Sequence, residues 1–397
     1  MDLSFSATER AFHAEVRDFV RSHLPDGIGA KMALGASLSR DDFVAWQKIL
    51  HGRGWAAPHW PAEYGGPGWG PTERYLFADA LAAEGAPEPL PFGLTMVGPV
   101  IYTFGTDEQK RRFLAPILAA DELWCQGYSE PGAGSDLASL QVRAVRDGDD
   151  YVVNGTKTWT SLAHWADWMF CLVRTSTQGK PQEGISFLLI DMASPGIEVR
   201  PIVTLDDGHH VNMTYLTDLR VPVANRVGKE NHGWTYAKFL LTLERTGIAE
   251  IGPSRQKLKR LKAIAEAEPS GGGALIEDLG FRRKIAEAEI ELTALEYTNL
   301  RYLAEEAAGR DIGPKASLLK IRGSEIRQRI TELCVEAVGY YAYPSPPPGL
   351  KGINEPPVGA DYAATQAPEF LYSRAATIYG GSNEIQKNIM AKMVLGL

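Results

Sequence analysis

Between Trp124 and Pro222 the apolar residues change their period, and neither an all-helical nor an all-β architecture accommodates that change. Val142, Ala144, Tyr151, Val153, Trp168, Phe170, Leu172 and residues 185–190 fall in short alternating or continuous runs. Turn formers separate them: Asp147-Gly148-Asp149-Asp150, Thr177-Gln178-Gly179-Lys180 and Ser194-Pro195-Gly196. Short strands at this spacing predict a small barrel or sandwich. On either side the period is helical. Phe5-Ser6-Ala7-Thr8-Glu9 reads as a helix start, followed by Phe12, Val16, Phe19 and Val20. Further helices are expected around Phe43–Leu50, Thr72–Ala83, Gly93–Phe104 and after the cap at Thr106. Beyond Gly233 four long helices are expected, at about 233–268, 279–309, 314–342 and 368–395. Phe281, Ile285, Ala288, Leu292 and Leu295 form the stripe of a bundle helix. Ser270-Gly271-Gly272-Gly273 reads as a flexible break, and the proline-rich stretch 343–357 as an irregular excursion.

The most informative stretch is 124–163. Ser129-Glu130-Pro131-Gly132-Ala133-Gly134-Ser135-Asp136 holds a proline and two glycines and excludes helix or central strand. It reads as a tight loop that offers N–H groups and hydroxyls to a ligand. Asn154-Gly155 is a strong hairpin signal, and the strand leaving it is expected to end in Trp159-Thr160-Ser161. One aromatic face and several hydroxyls suit a flat, hydrogen-bonding cofactor. Trp159 is the member of this set whose simplest alternative role is core packing.

This stretch resembles the acyl-CoA dehydrogenases. The resemblance continues through Trp60-Pro61-Ala62-Glu63-Tyr64-Gly65-Gly66, Asn231-His232-Gly233-Trp234 and Gly380-Gly381-Ser382-Asn383-Glu384-Ile385-Gln386. It implies a mainly α fold with a central β domain: an N-terminal helical domain (1–123), a small β-barrel that lines the flavin (124–232) and a C-terminal four-helix bundle (233–397). The implied cofactor is FAD, met by Gln126, Tyr128, Ser129, Gly134, Ser135, Trp159, Thr160 and Ser161, with Ser382 and Glu384 from the C-terminal segment. The implied reaction is α,β-desaturation of an acyl-CoA thioester to the trans-2-enoyl-CoA, with electron-transfer flavoprotein as acceptor. Ser135, Arg245, Gly380 and Gly381 are the implied substrate contacts.

The chain departs from the family pattern twice. In much of the family a glutamate base stands where Tyr379-Gly380-Gly381-Ser382 has Gly380, whose N–H retains only the ability to polarise the thioester carbonyl. The family's alternative base position matches Glu244 in Leu243-Glu244-Arg245, flanked by Leu240, Leu241 and Ile248, with Gly247 leaving room for a bulky acyl group. The bland reading of Glu244 is one arm of a surface ion pair. Second, the segments that donate diphosphate and adenosine contacts across a homotetramer interface are missing. The chain has Gly272–Phe281 and Glu336-Ala337-Val338-Gly339-Tyr340 in their places. This pattern resembles the large, base-bearing subunits of heteromeric bacterial enzymes, similar to those for pimeloyl-CoA and sterol side-chain CoA esters. A paralogous partner chain in a heterotetramer is therefore expected, with a homotetramer as the alternative. Two other functions stay open: an oxygen-using flavin oxidase or monooxygenase on the same fold, and a non-catalytic assembly subunit.

Composition narrows the field further. A hydrophobic content of 44% and a charged content of 23% are ordinary for a globular chain, and a net charge of −8 argues against nucleic-acid or anionic-membrane partners. Cys125, Cys171 and Cys334 form no C-x-x-C, and His209-His210 lacks a partner at helical spacing, so no metal is expected. The start of the chain lacks a signal-peptide pattern and no apolar run reaches membrane-spanning length, so a cytoplasmic location is expected.

Overall fold

The computed structural model describes residues 4–243, 249–310, 312–344 and 358–397, the side chains of 241–243 excepted. Six helices precede the sheet: α1 (Ala7–His23), α2 (Asp26–Leu34), α3 (Arg40–Gly52), α4 (Pro71–Ala83), α5 (Gly98–Phe104) and α6 (Asp107–Leu118). Capping boxes start α1 at Ser6 with Glu9 and α6 at Thr106 with Gln109. Val16 and Val20 of α1 bury against Phe77, Ala80 and Leu81 of α4 and against Trp46 and Leu50 of α3. The Gln109 amide also donates to the Ala224 and Arg226 carbonyls (2.7 and 3.0 Å), which ties α6 to the end of the sheet. Where one helix was expected over 93–104, Phe92–Val97 is a π-helical turn that runs into α5. Trp60 is the cause. Its ring lies where a Gly98 Cβ would be, and its Nε1 donates to the Leu94 carbonyl at 2.5 Å.

The sheet holds β1 (Trp124–Gly127), β2 (Arg143–Asp147), β3 (Asp150–Lys157), β4 (Trp168–Arg174), β5 (Ile185–Asp191), β6 (Ile197–Val203) and β7 (His209–Pro222). β4 pairs β1, β5 and, through Arg174 and Arg143, β2; from β2 the order runs through β3 and β7 to β6. Among the described residues no ladder joins β5 to β6, so the sheet curls without closing. β4 and β5 are continuous apolar runs because both of their faces are covered. Met169, Cys171, Val173, Leu188 and Ile190 face inward onto Val142, Tyr151, Val153 and Leu219. Phe170, Leu172, Phe187 and Leu189 face outward onto Val97, Ile101, Phe113 and Leu240.

Asn154-Gly155 is not the hairpin. The turn lies at Gly148-Asp149, between paired Asp147 and Asp150, with Gly148 at φ 63°. Asn154 instead exchanges hydrogen bonds with Asp218 of β7 (3.1 and 2.8 Å), and Gly155, at φ 144°, lies opposite a bulge whose extra residue is in β7 between Leu216 and Leu219. A Cβ at 155 would approach Val142 Cγ2 at 2.7 Å, so close packing requires glycine there.

After the sheet come α7 (Gly233–Leu243), α8 (Ile251–Ala267), α9 (Leu279–Ala307), α10 (Ala316–Val338), α11 (Gln366–Ser373) and α12 (Asn383–Met393). Two of the four expected helices are broken. α7 packs Tyr236, Ala237 and Leu240 into the sheet-side core, whereas α8 belongs to the bundle. The 368–395 helix is interrupted by a 3₁₀ turn (Arg374–Thr377) and by Gly380 and Gly381 at φ 65° and 80°. The Phe281–Leu295 stripe of α9 is buried against α8 and α10 as expected. Residues 269–274 form a two-stranded hairpin, β8 (Pro269–Ser270) with β9 (Gly273–Ala274), rather than a loose break. The stretch 345–357 lies outside the described residues.

Candidate functional site

β1 delivers the chain to the Ser129–Asp136 loop, and an internal ion pair fixes that loop to β3. Lys157 is fully buried at the end of β3, on the inward side with Tyr151 and Val153. Its Nζ donates to Glu130 Oε1 at 2.8 Å and to the Tyr128 carbonyl at 3.0 Å. The Glu130 carboxylate also accepts from the Val142 and Gln141 N–H groups (2.9 and 2.5 Å). Glu130 and Ala133 exchange backbone bonds at 3.0 Å, and the Ser129 carbonyl accepts from Thr158 N–H at 2.9 Å. The loop is thus held at both ends while Gly132, Gly134, Ser135 and Asp136 remain exposed. Among the described residues the Ser129, Ser135 and Ser161 hydroxyls and the Gln126 amide have no hydrogen-bond partner.

Past Lys157 the chain keeps pairing with β7 by skipping one residue. Thr160 and Asn212 exchange backbone bonds (3.0 and 3.1 Å), and Leu162 N–H donates to the His210 carbonyl at 3.0 Å. The skipped residue is Trp159, which adopts φ 57° and leaves its side of the strand 58% exposed. It is therefore not core. A left-handed, exposed tryptophan beside a polar loop is an arrangement proteins keep for ligands. Thr160 is fully buried, and its Oγ1 finds no partner among the described residues. An exposed ring beside a loop whose Ser135 is open fits a flat ligand with hydrogen-bonding edges, as the FAD expectation requires.

Asn212 fixes this wall from behind. Its Nδ2 donates to the Thr160 carbonyl (3.0 Å) and to His164 Nδ1 (3.1 Å), while its Oδ1 accepts from His209 Nε2 (2.7 Å). The two imidazoles stack at 3.9 Å, and burial, then His209, lower the His164 pKa. His210 pairs with Asp206 (2.9 Å), and its ring lies 4.5 Å from Tyr372 of α11. His210 thus ties β7 to α11, while His209 braces Asn212.

On the C-terminal side, Tyr379 OH accepts from Arg327 of α10 at 2.6 Å, and Arg327 also pairs with Glu250 at the start of α8. Gly380 and Gly381 follow Tyr379 and are exposed, and a Cβ at 380 would meet nothing within 4 Å. Ser382 Oγ is engaged as the cap of α12, accepting from Ile385 N–H at 3.3 Å. Glu384 is exposed in the first turn, where its own backbone N–H and Ser382 lower its pKa. No hydrogen bond joins Ser382 or Glu384 to the Ser129–Asp136 loop among the described residues. Glu244, Arg245 and Gly247 lie outside the described residues. The ion pair Lys157–Glu130, the Asn212 amide and the Arg327–Glu250–Tyr379 cluster were not anticipated from sequence. Their one available signal was a lysine at an inward position of a strand.

Comparison with known proteins agrees with this geometry. Family models described as the N-terminal, middle and C-terminal domains of acyl-CoA dehydrogenase match residues 6–121, 125–217 and 231–395. The chain belongs to the acyl-CoA dehydrogenase family, whose members are oxidoreductases and in general FAD-dependent. It is 35% identical over 394 residues to acyl-CoA dehydrogenase IpdE1 of Mycobacterium tuberculosis, with 97% of each chain covered. It is 38% identical over 351 residues to FadE26 of the same organism, covering 87% of this chain and 85% of that one. Among solved structures, the steroid acyl-CoA dehydrogenase Tcur3481-Tcur3483 superposes with a TM-score of 0.86 at 31% identity, covering 100% and 99% of the two chains. The ChsE4-ChsE5 complex of M. tuberculosis superposes with 0.84 at 32% identity, covering 100% and 99%.

Proposed function

We propose that the chain oxidises an acyl-CoA thioester to the trans-2-enoyl-CoA, with Glu244 as the base. The observation that carries this reading is Trp159, exposed and left-handed beside the open Ser129–Asp136 loop. Gln126, Tyr128, Ser129, Gly134, Ser135, Trp159, Thr160 and Ser161 would hold FAD, with Ser382 and Glu384 flanking it. When bound, FAD supplies the acceptor for the β hydride. Glu244 takes the proton from the α carbon, a task that needs a carboxylate more basic than the usual pKa of about 4.3. In the sequence the apolar flanks Leu240, Leu241 and Ile248 suit that upward shift. Gly380 and Gly381 offer N–H groups to the thioester carbonyl, Arg245 and Ser135 hold the CoA ester, and electron-transfer flavoprotein takes the electrons onward.

A paralogous partner chain completes the cofactor site in a heterotetramer. Supporting this, Glu336 stands where a diphosphate-contacting amide is expected and pairs with Lys284 of α9. The superposing structures are named as two-component assemblies. Three free, buried thiols, Cys125, Cys171 and Cys334, fit a reducing cytoplasm. The test is Glu244→Gln. It should retain FAD at the wild-type ratio and lose at least ~100-fold in the rate of anaerobic flavin bleaching by acyl-CoA. Bleaching within a few-fold of wild type would refute Glu244 as the base.

A further inference from the structure

Gly380 and Gly381 form a turn whose own contacts do not hold it in place. Both adopt left-handed backbone, at φ 65° and 80°, and a Cβ at 380 would meet nothing within 4 Å. Neither N–H has an acceptor among the described residues. Successive free N–H groups on a turn attract a negatively polarised oxygen. Where they point is set by the residues on either side.

Both flanks are tethered to α10. Before the glycines, Arg327 donates to Tyr379 OH at 2.6 Å, and its guanidinium is itself held by Glu250. After them, Lys320 Nζ donates to Asn383 Oδ1 at 2.9 Å, and the Asn383 amide donates to Ser324 Oγ at 3.2 Å. Lys320 and Arg327 are seven residues apart, so they share one face of α10, about 10 Å apart along its axis. Gln328 extends that face to the preceding segment, donating to the Ser373 and Arg374 carbonyls (3.0 and 3.2 Å).

The Lys320 arm is not explained by stability. Its side chain is 3% exposed and makes no ion pair among the described residues. Burying an ammonium without a carboxylate is unfavourable. The cap of α12 does not need it, because Ser382 Oγ already accepts from Ile385 N–H at 3.3 Å. What Lys320 contributes is the position of Asn383, and through it the position of the turn.

We infer that Lys320 and Arg327 are positioning residues that clamp the Gly380-Gly381 turn from both sides and aim its N–H groups at the thioester carbonyl. This rests on the acyl-CoA dehydrogenase reading above and adds the residues that set carbonyl polarisation. Arg327 acts through Tyr379 and Lys320 through Asn383, and neither needs to touch the substrate.

The test uses the FAD-loaded enzyme, with its partner chain where flavin retention requires it. The probes are octanoyl-CoA and 3-cyclohexylpropanoyl-CoA, each carrying 13C at the carbonyl. Rates are taken per bound FAD, so loss of folded protein does not count. Lys320→Met should lower the flavin-bleaching kcat roughly 10- to 100-fold while KM changes less than about threefold, because the N–H groups act on charge that develops in the transition state. Tyr379→Phe should act in the same sense more weakly, and it spares the pairing of Arg327 with Glu250. In infrared difference spectra the 13C=O stretch of the bound thioester should return towards its value in water in both variants. Adding Asn383→Ala to Lys320→Met should slow the enzyme no further, as two residues of one arm require. Should Lys320→Met misfold, Tyr379→Phe and Asn383→Ala test the two arms separately. A crystal structure of the Lys320→Met/Tyr379→Phe variant should show the turn displaced by ~1 Å or more. A turn unmoved in that structure, or wild-type kcat and carbonyl stretch in every variant, would overturn the inference and leave the dehydrogenase reading standing. A carbonyl shift lost in the variants, with no bleaching of the wild type by either thioester, would support the clamp and overturn that reading.

Discussion

Lys157 and Glu130 show how one residue pair sets the geometry of the candidate site. Each charge removed from water costs several kcal/mol, and the pair persists because the Tyr128 carbonyl and the Gln141 and Val142 N–H groups meet the remaining valences. Lys157→Met strands a buried carboxylate and should lower the unfolding free energy by about 3–5 kcal/mol in urea titrations. Lys157→Met combined with Glu130→Gln removes both charges and should lose less than that single change. A double variant at least as damaged as Lys157→Met would contradict this account. At this scale the sequence was legible where chemistry is written in a motif. Gly134, Ser135, Trp159, Thr160 and Ser161 lie on the loop and strand end expected of them. Partners from distant segments were not legible. Nothing near Thr160 announces Asn212, because their meeting depends on strand register, which the chain's local pattern does not contain.

Among the elements, β3 is the one whose irregularity serves the site. The bulge opposite Gly155 and the skipped Trp159 keep the strand paired with β7 while one aromatic ring turns out of the ladder. Gly155→Val should cost about 1–3 kcal/mol, since its backbone is at φ 144° and Val142 occupies the space of a Cβ. It should also speed hydrogen exchange at Thr160 and Leu162, whose N–H groups bond to β7. Unchanged stability and exchange would show that the bulge is incidental. Helices α1, α3, α4 and α6 and the α9 stripe were readable, because capping boxes and apolar spacing are local signals, whereas α2 and the π-helical turn before α5 were not. The breaks before α8 and before α12 were not. Helical propensity carries a pattern across a left-handed residue, and only packing shows that α7 sides with the sheet while α8 sides with the bundle. Asn154-Gly155 misled because its turn chemistry is real but is spent on the cross-strand pair with Asp218.

For the molecule as a whole, Arg74 is a bolt between layers. From α4 it donates to His59 Nδ1 (3.1 Å) beside the Trp60 loop and reaches Glu306 of α9 (3.1 Å). Burial, then Arg74, lower the His59 pKa from its ordinary 6.5 to about 4. The folded state therefore favours neutral His59. Stability from this group is fully present above the unfolded pKa, declines as pH falls from about 6.5 towards about 4, and changes no further below. The loss over that window should be at most about 3 kcal/mol, and His59→Gln should flatten it in urea titrations at successive pH values. An unchanged slope in the variant would assign the acid sensitivity elsewhere.

The assembly lies at the same scale. The chain presents Trp159 and the open loop and pairs Glu336 with its own Lys284; on the proposed heteromeric reading, the distal half of the dinucleotide site would come from another subunit. The FAD-to-protein ratio, measured for this chain alone and then co-purified with its paralogous partner, tests that division directly. The account predicts little flavin in the chain alone and stoichiometric flavin in the complex. One FAD per chain in an active homotetramer of this chain would contradict it.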